Sequence, residues 1–289
     1  MNNNNNKKGI AFMISSAFFF ALMSFFVKYA ADVPLFQKAF FRNAIAAVIA
    51  LPLFLRGHHS FNIGKKNLLF LLCRVSCGAF GMLCNYYALD HMNLPDANML
   101  NKTSPFFSML AAIWLLGERP SKRDWISLAI AFLGALMIMK PSFDVHFLYA
   151  IIGVAGGFGA GMAYAFVRKL GTRGVDSSVM VLAFSLFTCL ICTPFSIYEG
   201  IHVSVHDLMI LMCVGISAAI AQFSVTLSYS AAETRVVSIY GYTQIIFAAI
   251  LGIIFFGEVP DALSVAGYVT IIAGALIKQG FGKKMKRNN

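Results

Sequence analysis

The sequence predicts an all-α integral membrane protein of ten transmembrane helices, arranged as two inverted five-helix repeats. Three observations carry that expectation. Apolar runs of spanning length recur from end to end, basic residues gather on one side of the resulting topology, and the second half repeats the first at an offset of 140 residues. Of 289 residues, 59% are apolar and 12% charged, with 28 Phe and a mean hydropathy of +0.74. Soluble domains carry roughly 25% charged residues, so a core of this size would leave apolar surface that only lipid solvates. No polar stretch is long enough to form a soluble domain.

Long apolar runs bounded by charge, Pro or Gly place the spans at 9–29, 33–55, 67–89, 96–116, 124–140, 147–167, 178–198, 207–230, 234–256 and 262–279. About 20 apolar residues cross a ~30 Å hydrocarbon core. Lys7 and Lys8 before the first run resemble a signal-peptide start. The run lacks a small-residue cleavage site and further spans follow, so it is read as the first helix. Residues 1–8 are expected to be a disordered cytoplasmic lead and 280–289 a basic cytoplasmic tail.

With both termini inside, Lys and Arg sort 17 inside (7, 8, 56, 65, 66, 119, 122, 123, 168, 169, 173, 235, 278, 283, 284, 286, 287) to 3 outside (Lys28, Lys38, Lys140). Positive charge on cytoplasmic loops sets orientation, so the bacterial inner membrane is the expected location. The formal charge of +11 thereby becomes an orientation signal, and the expected partners are a small-molecule substrate and the lipid bilayer, with no nucleic acid. All six Cys (73, 77, 84, 189, 192, 213) fall in apolar runs and read as packing residues. No cofactor or metal site is expected, and the sequence carries no signal of oligomeric state.

The repeat shows as one register held across both ends of a half. Phe26-Val27-Lys28 meets Phe166-Val167-Arg168, Thr103 meets Thr243, Gly117-Glu118 meets Gly257-Glu258, Pro120 meets Pro260, and Gly134-Ala135-Leu136 meets Gly274-Ala275-Leu276. The halves are 9–140 and 147–279. Five helices per half is odd, so equivalent helices run in opposite directions. Inverted repeats of this kind carry a solute site near the bilayer midplane.

The segment Tyr86-Tyr87-Ala88-Leu89, then Pro105, then Leu116-Gly117-Glu118-Arg119-Pro120 and the Gly134-Ala135-Leu136 helix resembles the EamA-type half of the drug/metabolite transporter superfamily. The signature recurs as Phe256-Gly257-Glu258-Val259-Pro260 with Gly274-Ala275-Leu276. The resemblance implies ten helices and transport of amino acids, nucleotide precursors, cofactors or drugs. Two departures fall at positions that would line a central cavity. Phe20-Ala21 stands where such halves often carry Trp and a small residue, and Ile245 stands where the first half has Pro105.

Charged side chains inside a membrane are costly and mark function by default. Arg42 lies about nine residues into its span, ~13 Å at 1.5 Å per residue. Arg74 and Lys102 sit shallower, where snorkelling or a structural pair is the competing reading. No Asp, Glu or His falls clearly within the hydrocarbon region, so no titratable proton relay is expected. Basic groups without acidic partners favour an anionic or carboxylate-bearing cargo.

Asn98, Asn101, Pro105 and Ser108 form a polar stripe on the fourth helix. The offset maps them to Ser238, Gly241, Ile245 and Ala248, with Tyr242 opposite Lys102. Cavity lining competes there with polar helix packing. Further candidates are Asn85, Tyr86, Gln222, Tyr240, Thr243 and Gln244. Gly153, Gly157 and Gly161 predict close packing on the sixth helix, and Glu118 and Glu258 read as loop anchors.

An intramembrane enzyme would need an HExxH or GxSxG pattern, and neither occurs. A channel would show a filter loop or pore charges. A scaffold would leave the inverted repeat unexplained. The expected function is a secondary transporter of an amino-acid-like or anionic metabolite. The alternative is an uptake carrier for a larger nucleoside-like or flavin-like cofactor, held by Tyr86, Tyr87, Trp114, Tyr240 and Tyr242.

Overall fold

A computed structural model describes residues 3–57, 63–116, 122–139, 145–200, 204–232 and 237–280. The helices are α1 (Asn3–Tyr29), α2 (Leu35–Arg56), α3 (Lys65–His91), α4 (Leu94–Asn101), α5 (Ser104–Leu116), α6 (Lys122–Met139), α7 (Val145–Thr172), α8 (Ser177–Tyr198), α9 (Val205–Ala231), α10 (Thr243–Leu251) and α11 (Ala262–Gly280). A 3₁₀ turn, Ser238–Tyr242, precedes α10, and a π turn, Gly252–Phe256, follows it. Taking α4 with α5, and α10 with its flanking turns, the described helices make ten crossings. Six of them are long and apolar enough to span a membrane singly. Side chains such as Leu69, Leu190 and Ile254 stay exposed on the outside of the bundle, where a soluble protein rarely presents continuous apolar surface.

Two expectations change at the element level. α1 begins at Asn3, so residues 3–8 are helical where a disordered lead was expected, and residues 1–2 lie outside the described residues. Once a helix is nucleated, each added residue gains a hydrogen bond at little further cost. The fourth span is not one helix. It breaks at Lys102–Thr103, where Lys102 N–H bonds the Met99 carbonyl at 2.9 Å and Thr103 N–H bonds Leu100 at 3.1 Å. Pro105 supplies no amide hydrogen to the Asn101 carbonyl and disfavours helical geometry in the residue before it. Thr103 Oγ1 donates to the Leu100 carbonyl at 2.7 Å and closes the turn. The ninth span changes from 3₁₀ to α at Tyr242–Thr243, 140 residues on.

The packing follows the same symmetry. α3 runs along α7, and α1 runs along α9. α2 pairs with α8, and α6 pairs with α11. Each of these contacts joins the two halves, and the 140-residue offset converts α3·α7 into the α9·α1 contact. Gly156 and Gly159 of α7 lie against Gly81 of α3. A Cβ on Gly157 would stand 2.9 Å from the Leu100 carbonyl oxygen and 3.3 Å from that of Asn101. The small-residue face of α7 thus lets a whole helix sit against the break between α4 and α5.

Candidate functional site

At the end of the bundle that holds the C-terminus of α1, charges are paired. Lys38 is fully buried, yet its ammonium donates to Asp90 at 2.7 Å. Lys28 meets Glu258 at 2.5 Å and donates to the Met92 carbonyl at 2.6 Å. The second Glu258 oxygen accepts the Leu94 N–H at 2.8 Å, filling an orphan donor at the start of α4. Gly257 adopts φ +64°, a left-handed conformation natural to Gly, and this turns Glu258 back toward α1 and α4. The anchoring expected for Glu258 takes this form, while Glu118 lies outside the described residues.

Deeper in the bundle the charges are not paired in this way. A cavity of about 80 Å³ is bounded by α1, α2, α3, the α4–α5 break, α7, α8, α9 and α10. By the same measure a single water needs roughly 10–15 Å³, so this space holds several. Its wall includes eight residues that the sequence singled out: Arg42, Arg74, Asn85, Tyr86, Asn101, Lys102, Gln222 and Gln244. They come from both halves.

The guanidinium carbons of Arg42 and Arg74 stand 5.3 and 4.6 Å from the centroid of the same Phe184 ring. Cation–π attraction supports each in place of a counter-ion. Arg42 donates to Asn43 Oδ1 at 2.9 Å and to the Met82 sulfur at 3.0 Å. Its Nε, the Nε of Arg74, Asn85 Oδ1, Tyr86 OH and Gln222 Nε2 are buried and without a hydrogen-bond partner. Four of these five atoms can donate. Among the described residues, no Asp or Glu lines the cavity.

Other candidates lie behind this wall, with their polar atoms already engaged. Asn98 Oδ1 accepts from Ser24 at 3.1 Å and from Gln244 Nε2 at 2.5 Å, and Asn98 Nδ2 donates to Leu94. Tyr242 OH donates to the Lys102 carbonyl at 3.2 Å, linking two residues 140 positions apart. Thr243 donates to Tyr240. Ser108, beyond the break in α5, is buried beside α7 and does not line the cavity. The side chains of Ser238 and Pro105 lie outside the described residues.

The aromatic set expected for a planar cargo is also dispersed. Tyr87 stacks on His91, Trp114 is 91% exposed, and Tyr240 packs against the cluster that holds Met13, Tyr229 and Val237. Of that set Tyr86 lines the cavity, and the other rings there are Phe20, Tyr164 and Phe184. Phe20 had a sequence signal, as the departure noted in the first helix. Ser24, Met82, Ser104, Tyr164 and Phe184 had none, since Phe, Tyr, Met and Ser are common throughout such helices. A second, smaller cavity adjoins the first at Phe20, Lys102, Ser104 and Tyr164, and reaches Met13 and Tyr229.

The EamA-like transporter family profile matches residues 7–140 and again 147–278. The chain is 30% identical over 273 residues to the pseudopaline exporter CntI of Pseudomonas aeruginosa, covering 93% of this chain and 95% of that one. It is 25% identical over 248 residues to an S-adenosylmethionine uptake transporter of Rickettsia prowazekii, covering 83% and 81%. A solved crystal structure superposes with a TM-score of 0.70 over 96% of this chain and 99% of its own, at 13% identity. Two helical halves closing on one cavity, with a family match on each half, make this multi-pass membrane protein a member of the EamA-like transporter family.

Proposed function

We propose that this transporter moves an anionic, amino-acid-like metabolite across the bacterial inner membrane by alternating access, with both termini in the cytoplasm. The halves, 9–140 and 147–279, rock about the cavity between them. The observation that carries this reading is the excess of donors. Arg42, Arg74 and Lys102 face one space with no described carboxylate, and four buried donor atoms there have no acceptor. Buried unpaired charge is strongly unfavourable, and a carboxylate entering the cavity supplies both the charge and the acceptors. The 17-to-3 basic asymmetry supports the orientation.

The test is a thermal-shift screen of purified protein against amino acids, organic anions, nucleosides and vitamins. A ligand at 100 times its Kd stabilises by about 2.7 kcal/mol. A carboxylate-bearing compound is expected to stabilise the wild type and not Arg42→Ala. Equal stabilisation of both proteins contradicts the assignment. The second reading, a larger nucleoside-like or flavin-like cargo, draws support from the S-adenosylmethionine relative and from Phe20, Tyr164 and Phe184 in the wall. Stabilisation by planar compounds that lack an acid group favours it.

A further inference from the structure

We infer, resting on the anionic-cargo reading, that the cavity is a two-point anion site whose cargo is a compact dicarboxylate. The cations form two poles. Arg42 and Arg74, from α2 and α3, flank the single Phe184 ring. Lys102 belongs to the α4–α5 break, beside Gly241 of the ninth span, where the two cavities meet. The poles therefore rest on different structural supports.

Their existing partners leave them open. Arg42 has one terminal nitrogen engaged, by Asn43 and Met82, and its Nε is unpartnered. Arg74 Nε is likewise unpartnered. Lys102 has no ion pair among the described residues, in contrast with Lys28 and Lys38 in the same bundle. A single carboxylate at the arginine pole leaves Lys102 without a counter-charge, and one at Lys102 leaves both guanidiniums without one. A cargo with a carboxylate at each end answers both poles. In the same wall, Asn85 Oδ1 is a buried acceptor without a donor, suited to an amino or hydroxyl group on the connecting carbon chain.

The test measures binding of glutarate, butyrate, inorganic phosphate and cadaverine to the detergent-purified full chain by calorimetry. Charge-assisted hydrogen bonds support an expectation that glutarate binds about tenfold or more tighter than butyrate in the wild type. In Lys102→Met, glutarate is expected to fall to the butyrate level while butyrate binding changes by less than about threefold. Lys102→Arg is expected to restore the preference for glutarate, which separates a lost anion contact from a damaged fold.

Equal binding of glutarate and butyrate by the wild type overturns the two-point site and leaves the anionic-cargo reading standing. So does a Lys102→Met loss that is the same for both acids. Phosphate binding tighter than glutarate overturns it in favour of one pole. Binding of cadaverine alone, or no binding of any anion at about 10 mM, removes the underlying reading as well.

Discussion

Glu258 shows how much one side chain can hold. It ion-pairs with Lys28 on α1, accepts the first N–H of α4, and follows the left-handed Gly257 that ends the ninth span. Three spans meet on one carboxylate. Glu258→Gln keeps the shape and weakens both contacts. Hydrogen bonds to charged groups contribute about 1.5–3 kcal/mol, and a loss of that order is expected in thermal unfolding. Labelling of a cysteine introduced next to Glu258 should also quicken, because the contact that Glu258 makes with α1 and α4 loosens. An unchanged melting temperature together with unchanged labelling contradicts the role.

At this scale the sequence was most informative where a residue was chemically out of place. Arg42, Arg74 and Lys102 stand out because lipid does not tolerate them, and all three line the cavity. Tyr164 and Phe184 are as central to the site but carry no such mark in a chain that is 14% aromatic. Asn98 illustrates the opposite case. An amide in a membrane helix is conspicuous, yet here its hydrogen bonds join α1, α4 and α10, and it is not among the residues lining the cavity.

Among the elements, the broken fourth and ninth spans position the site. Discontinuous helices put backbone turns and polar side chains at membrane depth where they are shielded by protein. α7 supplies that shield, pressing Gly157 onto the carbonyls of Leu100 and Asn101. Gly157→Leu has no room there. Overpacking of this kind costs about 1–3 kcal/mol, so a lower melting temperature and weakened ligand binding are expected. Gly174→Ala is the comparison for an open position, where a Cβ meets nothing within 4 Å but the φ of +78° adds strain. Loss of stability in Gly174→Ala with none in Gly157→Leu would contradict the packing account.

The break itself was not legible. Residues 96–116 read as one apolar run of spanning length, and Pro alone does not end a membrane helix, since neighbours can satisfy the freed carbonyls. Here Thr103 bonds the Leu100 carbonyl and α7 packs over the break. The contribution of α7 depends on contacts 50 to 60 positions away along the chain, which helical periodicity within one segment does not encode.

For the whole molecule, the repeat was readable because it needs no single strong match, only one register across the chain. That register now has a physical meaning. The bond from Tyr242 to the Lys102 carbonyl joins residues related by the offset, and α3·α7 and α1·α9 are equivalent contacts. Each half packs mainly through the other, so the cavity wall is built from both. The halves meet on a space where α4–α5 from one side faces α10 from the other, and there the cations converge.

The most direct test of an anionic cargo passing through this cavity is counterflow into proteoliposomes. Vesicles are preloaded with an unlabelled organic acid identified by binding, and uptake of the labelled acid is followed for wild type, Arg42→Ala and Arg74→Gln. Rapid accumulation by the wild type, lost in both arginine variants despite normal expression and reconstitution, is the expected result. Wild-type flux in either variant would contradict the account.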